Sequence, residues 1–299
     1  MQIPKANDEF MSRSRVSPRR QALSKRVQPY LQNKKAIVSL CIVGSVVLVA
    51  LGADWLTPFQ FDQMRAGGLL ESPSLRHPFG TDAFGRDVWT RVIHGSRVSL
   101  QIAAIISLLS AAVGIPLGLL SGYARGNLDH VLMAVADLLF TVPSVLMALV
   151  VAAILGPGLT TVMIGLSIVY MPQYMRLARG LALSMAQRDF VLAARTLGAS
   201  PGRIVLRDVF PNCSAPLVIL TALVMSYAIL AEVTLSFLGM GTQPPSPSWG
   251  LMLLEGVETM YRAPLLAVFP GLAVTYLVLG FNLLGDSLRD IWDPYVSRR

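Results

Sequence analysis

The sequence predicts an all-α membrane protein of six transmembrane helices with the N and C termini cytoplasmic. Three observations predict it. The chain has 299 residues, of which 54% are hydrophobic and 14% charged, where a soluble domain carries about 25% charged residues. Its mean hydropathy is +0.58, and the apolar residues gather in runs near the ~20 residues that cross a bilayer. Basic residues collect before the first run and in one central stretch, and the outside loops between spans three and four and between five and six lack that excess. This is the bias that orients membrane helices. The net charge of +8 follows this distribution, so it marks topology and no nucleic-acid-binding face.

Residues 1–35 hold Lys5, Arg13, Arg15, Arg19, Arg20, Lys25, Arg26, Lys34 and Lys35 against Asp8 and Glu9. So few apolar residues predict a disordered, cytoplasmic basic tail. Residues 36–56 are the first span, uncharged from Ala36 to Ala53, with Trp55 at the far interface. It reads as a retained anchor and not a cleaved signal, because the basic region before it is long, no small-residue cleavage site follows, and more spans come later.

Residues 57–96 form an extracytoplasmic segment. Its turn-rich stretch His77-Pro-Phe-Gly-Thr-Asp-Ala-Phe-Gly-Arg-Asp87 leads into Val88, Trp89, Val92 and Ile93, which share one helical face. That predicts a short amphipathic helix in the interface with Asp87 at its N-terminus. Asp82, Arg86 and Asp87 are candidates for an extracytoplasmic contact; turn and cap chemistry is the favoured alternative.

Residues 97–286 are a five-helix core. The second span, Val98 to Ala124, carries Gly114, Gly118, Gly122 and then Gly126 at fourfold spacing, a stripe that lets helix backbones approach. Pro116 is expected to kink it. The third span runs from about Val131 to Leu155, with Asp137 near its inner end and Pro143 in its interior. Gly156-Pro-Gly158 turns outside, and the fourth span covers about Leu159 to Met175. The fifth runs from about Cys213 to Gly239, and Glu232 lies in its outer part. The loop Gly241 to Gly250 is too rich in proline for a helix. Ala263 to Gly285 is the sixth span, and residues 287–299 are a cytoplasmic tail. Cys41 and Cys213 lack pairing or metal-ligand spacing and read as small buried residues.

The central basic stretch, within residues 180–212, reads as two short helices. The first covers about Phe190 to Leu197 and is stopped by Gly198 in a left-handed conformation. Ser200 as N-cap and Pro201 as first residue begin the second, which is expected to end near Pro211. A helix–glycine–helix knob of this kind suits a partner's groove.

These residues also carry a resemblance. Leu192-Ala-Ala-x3-Gly198-x12-Pro211 resembles the EAA loop of the membrane subunits of bacterial ABC importers, with Leu192 at the motif's Glu position and Asp208 at an Ile position. "FVLAARTLGAS", "FGTDAFGRDV", "AEVTLSFLGMGTQPPSPSWG" and "FPGLAVTYLVLGFNLLGDSLRDIWDP" resemble the dipeptide, oligopeptide and nickel permeases over roughly Pro78 to Pro294. The resemblance implies a type I ABC importer permease fold in the bacterial inner membrane. It implies a second homologous permease subunit, two ATP-binding subunits that hold ATP and Mg, an extracytoplasmic substrate-binding protein and surrounding lipid as partners. It places Phe190, Leu192, Ala193, Ala194, Leu197, Gly198, Asp208 and Pro211 in the ATPase-coupling loop. It offers the binding protein as the partner of Asp82, Arg86 and Asp87.

The chain has no Walker A, HExxH, Cys-x-x-Cys or GxSxG pattern, and His77, His94 and His130 are scattered. No catalytic constellation, metal site or cofactor of its own is expected. Ionisable groups inside spans are the better markers, because a charge in hydrocarbon costs a few kcal/mol unless it faces protein or water. Glu232 reads equally as a path or gate residue or as a helix tie, and for Asp137, near the inner surface, the tie is favoured over the path or gate. Tyr170, Gln173 and Tyr227 are candidates for a polar path, and Asn282 and Asp286 for structural roles. The function expected is import of small peptides by alternating access. Nickel or metal-chelate import and an ion-gradient-driven carrier are the alternatives.

Overall fold

A computed structural model of the chain describes Tyr30 and residues 33–292. The expectations for the basic tail before Asn33 and for residues 293–299 lie outside the described residues. Helix α1, Lys34–Leu51, begins where the Asn33 side chain accepts hydrogen bonds from the Lys35 and Ala36 N–H groups. Gly52 closes it, and the short α2, Ala53–Leu56, follows. Cys41 faces outward from α1, whereas Cys213 is buried. The expectation that both are buried therefore fails for Cys41, which is exposed among the described residues.

Helix α3, Val88–Ala124, is a single helix of 37 residues. This corrects the expected separation of an interfacial helix from the second span. Asp87 caps it by accepting from the Thr90 N–H, and nothing between Asp87 and Val98 stops it. The apolar face read as interfacial is instead buried: Val88, Val92 and Ile93 lie inside the fold. Gly95 is there because a Cβ would come within 2.8 Å of the Trp249 ring.

Helix α4, Gly126–Thr141, and α5, Ser144–Leu155, replace the expected single third span and meet at 91°. Pro143 supplies the reason. It has no N–H to donate, and it drives the residue before it out of the helical region; Val142 is extended at φ −90°, ψ 127°. Helix α6, Leu159–Met185, is 27 residues long. Its first half is apolar, and its second carries Gln173, Arg176 and Arg179.

Helix α7, Asp189–Thr196, is the first helix of the central knob, and Gly198 follows it at φ +77°. Helix α8, Pro201–Ile204, then passes through one turn of π-helix, Val205–Val209, into α9, Phe210–Phe237, without interruption. The expected end near Pro211 is not there. Over the π turn the bonding shifts from i−4 to i−5, with the Phe210 N–H on the Val205 carbonyl, and Pro211 follows directly on this widened turn, where the helix carries its missing N–H without a break. The loop from Gly241 is non-helical as far as Ser248, which caps α10, Trp249–Glu258, so Trp249 and Gly250, expected in the loop, are helical instead. Helix α11, Leu265–Trp292, runs on past Gly285, beyond the expected end of the sixth span.

Three apolar seams hold these helices. Ile102, Ile106, Leu166, Tyr174 and Val224 join α3, α6 and α9. Val92, Trp249, Ile229, Leu277 and Phe281 join α3, α9, α10 and α11. Leu119, Ala178, Val191, Ile204, Val209 and Cys213 seat the knob. The α3–α6 contact depends on the glycine stripe. A Cβ on Gly114, Gly118 or Gly122 would lie 2.6, 2.3 or 2.5 Å from the carbonyl oxygens of Met171, Met175 and Arg179. Gly126, expected in the same stripe, instead sits in the turn after α3 at φ +68° with open space around it.

Among the described residues, four helical stretches are long and apolar enough to cross a membrane: α1, α3, the continuous Pro201–Phe237 and α11. The bent α4–α5 pair makes a fifth if it counts as one span. The protein is a multi-pass, mostly helical membrane protein.

Candidate functional site

The knob is built from its anchor outward. Val191, Ile204, Val205 and Val209 turn inward against Ala178, Ala182 and Leu119, fixing α7 and α8 to the ends of α3, α6 and α9. The Arg195 guanidinium lies over the Tyr123 ring at 5.2 Å, a second tie to α3. With Val191 committed inward, Phe190, Leu192, Ala193, Leu197 and Gly198 face out, and Ala194 is half-buried. Leu197 is 87% exposed, a large apolar side chain held in the open by the Gly198 turn. Pro211 is exposed, and Asp208 is half-buried in the π turn, where its carbonyl oxygen accepts from Asn212 Nδ2 at 2.7 Å. The first six coupling-loop candidates thus form one surface, and the last two lie at its base on the way into α9.

The path candidates separate. Tyr170 is buried, and its hydroxyl donates to the Tyr227 carbonyl at 3.1 Å; Tyr174 reaches Thr221 Oγ1 at 3.2 Å. Both therefore pin α6 to α9. The Tyr227 side chain is exposed, and Gln173 is half-buried. Glu232 is fully buried. It accepts from Ser236 Oγ at 2.6 Å and lies 3.5 Å from Thr242 Oγ1, so it ties the outer end of α9 to the loop after Gly239. Its second oxygen has no partner. Of the two readings of Glu232, this burial and these hydrogen bonds match the tie.

Asp82, Arg86 and Asp87 are buried as well, so the contact they were offered for does not fall on exposed side chains. Asp82 receives Arg86 Nε at 2.6 Å and Arg91 Nη1 at 2.5 Å, and Glu255 from α10 closes the cluster onto both arginines. Asp87 pairs with His77 Nδ1 at 2.8 Å. These residues fix the outer segment to α3 and α10, which is the turn and cap chemistry of the alternative reading. The sequence reading missed Arg91 and Glu255. The available signal was an arginine sharing the apolar face of Val88 and Val92, which calls for a buried carboxylate partner.

Two ion pairs join α4 to α6. Asp129 accepts from Arg179 Nε and Nη2 at 2.5 and 2.7 Å and from the Ser121 hydroxyl of α3. Asp137 accepts from Arg176 Nη2 at 2.6 Å, and that guanidinium lies over the Phe140 ring at 3.9 Å. Asp137 thus pairs across the two helices through a single contact, and Asp129 is a tie the sequence reading did not weigh. Asn282 is half-buried and Asp286 exposed near the C-terminal end of α11.

Residues 114–298 match the family described as binding-protein-dependent transport system inner membrane component. The chain belongs to that family. Its members are permease subunits of transport systems and not enzymes. Residues 25–73 match the N-terminal TM domain of oligopeptide transport permease C. The dipeptide transport system permease protein DppC of Alkalihalophilus pseudofirmus is 38% identical over 291 residues, covering 97% of this chain and 93% of its own. The glutathione transport system permease protein GsiD of Escherichia coli is 40% identical over 268 residues, 88% of this chain and 87% of its own. Among solved structures, the inward-facing MetNI methionine ABC transporter matches with a TM-score of 0.55 at 17% identity. The match covers 68% of this chain and 97% of that one, and the likeness is one of fold.

Proposed function

We propose that this chain is one of two membrane subunits of an ATP-driven importer of small peptides in the bacterial inner membrane. It has six spans, with α4–α5 and α6 counted among them and both termini inside. A second homologous permease completes the path, two ATPase subunits that bind ATP and Mg sit beneath the knob, and a substrate-binding protein delivers peptide from outside. The named substrates of the two relatives, a dipeptide and glutathione, support small peptides.

The observation that carries the coupling reading is the knob. It presents Phe190, Leu192 and Leu197 to a partner, and its second helix continues into α9 with no flexible joint. A push on it is delivered to a membrane span, and through the Tyr170 and Tyr174 hydrogen bonds to a second one. Alternating access needs such a rigid transmission. Leu192 at the motif's Glu position makes this part of the contact apolar.

The test is Gly198→Glu. The space around Gly198 is open, but its φ of +77° strains any other residue, and the new carboxylate would stand on the apolar face. In reconstituted complexes we expect ATP hydrolysis to continue while uptake falls. Normal uptake at normal expression would remove the knob from the mechanism.

A further inference from the structure

We infer that the Asp137–Arg176 pair is a peptide-recognising station inside the translocation path, with Arg176 directed at the carboxylate of a passing short peptide and Asp137 at its ammonium. This rests on the importer reading above and goes beyond it.

The two ion pairs between α4 and α6 provide the comparison. Asp129–Arg179 is built as a tie: two nitrogens on two oxygens, a third bond from Ser121, and side chains only 9% and 34% exposed. Asp137–Arg176 joins the same two helices with one contact and leaves its side chains 65% and 47% exposed. Among the described residues, Asp137 Oδ2 and Arg176 Nε and Nη1 make no hydrogen bond. With the first pair already joining the helices, the second has spare donors and a spare acceptor. A half-exposed ion pair on apolar helices must face water or protein and not lipid.

The backbone beside it makes the same demand. The α4 helix stops at Thr141, one turn past Asp137, and the chain turns by 91° into α5. Its last carbonyls, and the first N–H groups of α5, lose their helical partners there, and within a membrane such groups persist only where they line a wet cavity or meet protein. Phe140 holds the guanidinium plane beside this break, and Gln173 lies one turn before Arg176. Arginine suits a carboxylate because its planar fork offers two parallel donors, and the second N–H of Nη2 completes such a fork with Nε or Nη1 without releasing Asp137.

The experiment uses the whole importer with its partner subunits in proteoliposomes and dialanine as the probe. Arg176→Lys keeps an ion pair with Asp137 but removes the extra planar donors. We expect ATP-driven dialanine uptake to fall about tenfold, the scale of one lost charged hydrogen bond. Uptake within twofold of wild type would make the pair a tie and overturn the inference. As a second measurement, Gln173→Cys, one turn from the intact pair, in a chain with Cys41 and Cys213 replaced by Ala is treated with a membrane-impermeant thiol reagent. We expect labelling that dialanine slows; a cysteine that is not labelled, or is labelled at the same rate with and without dialanine, overturns it. Wild-type vesicles that move no dialanine on ATP would sink the importer reading itself, a result distinct from either of these.

Discussion

Replacing Gly118 by Ala should destabilise the protein although it improves a helix on paper. An added Cβ would stand 2.3 Å from the Met175 carbonyl oxygen, 2.8 Å from Ala178 Cβ and 2.9 Å from Met175 Cα. Ordinary contacts begin near 3.4 Å, so α3 and α6 must part by about 1 Å locally, loosening dispersion contacts at Gly114 and Gly122 as well. Overpacking of this kind costs about 1–3 kcal/mol, while Gly to Ala in a helix returns about 1 kcal/mol. The net is a loss of up to about 2 kcal/mol, seen as a melting temperature lower by up to about 6 °C in detergent. Gly180→Ala is the control. It lies in α6 with nothing within 4 Å of the new Cβ, so only the propensity gain of about 1 kcal/mol remains and the melting temperature should rise. If Gly118→Ala melts at or above wild type while Gly180→Ala behaves as expected, the close α3–α6 packing is wrong.

Two other substitutions test separate parts of the structure. Glu232→Gln should leave dialanine uptake and melting temperature near wild type, because an amide can still accept from Ser236 and the second oxygen has no partner to lose; a selective loss of uptake would return Glu232 to the path. Trp249→Ala should cost about 3–5 kcal/mol, since the ring fills the space over Gly95 and donates to the Val92 carbonyl at 3.0 Å, and an unchanged melting temperature would contradict that packing.

The sequence disclosed the periodic features and hid the junctions. The glycine stripe was legible because fourfold spacing has one geometric meaning in a helix, and the structure uses three of its four members. The α7 helix and its left-handed Gly198 were legible from helix formers followed by glycine. Pro143 and Pro211 were not, since a proline within an apolar run breaks a helix in one setting and is absorbed in another. Pro143 follows an extended Val142 and turns the chain by 91°, whereas Pro211 arrives just after a π turn and is carried without a break. The polar candidates divided on burial, which a sequence does not print. Asp82, Arg86, Asp87 and Glu232 are buried, and although Arg91, Ser236 and Thr242 lie near their partners in the chain, Glu255 reaches the arginines from a distant element. Asp137 and Arg176, close in space but 39 residues apart, kept the exposure that a ligand requires.

The central claim is that this chain works as a permease subunit driven by ATPase partners. The most direct test is to purify it from detergent-solubilised membranes, identify what comes with it, and assay the complex for vanadate-sensitive ATP hydrolysis. The account predicts a second six-span permease and two P-loop ATPase subunits, with hydrolysis stimulated by the binding protein. A chain that purifies alone and moves peptide in vesicles on an ion gradient without ATP would contradict it.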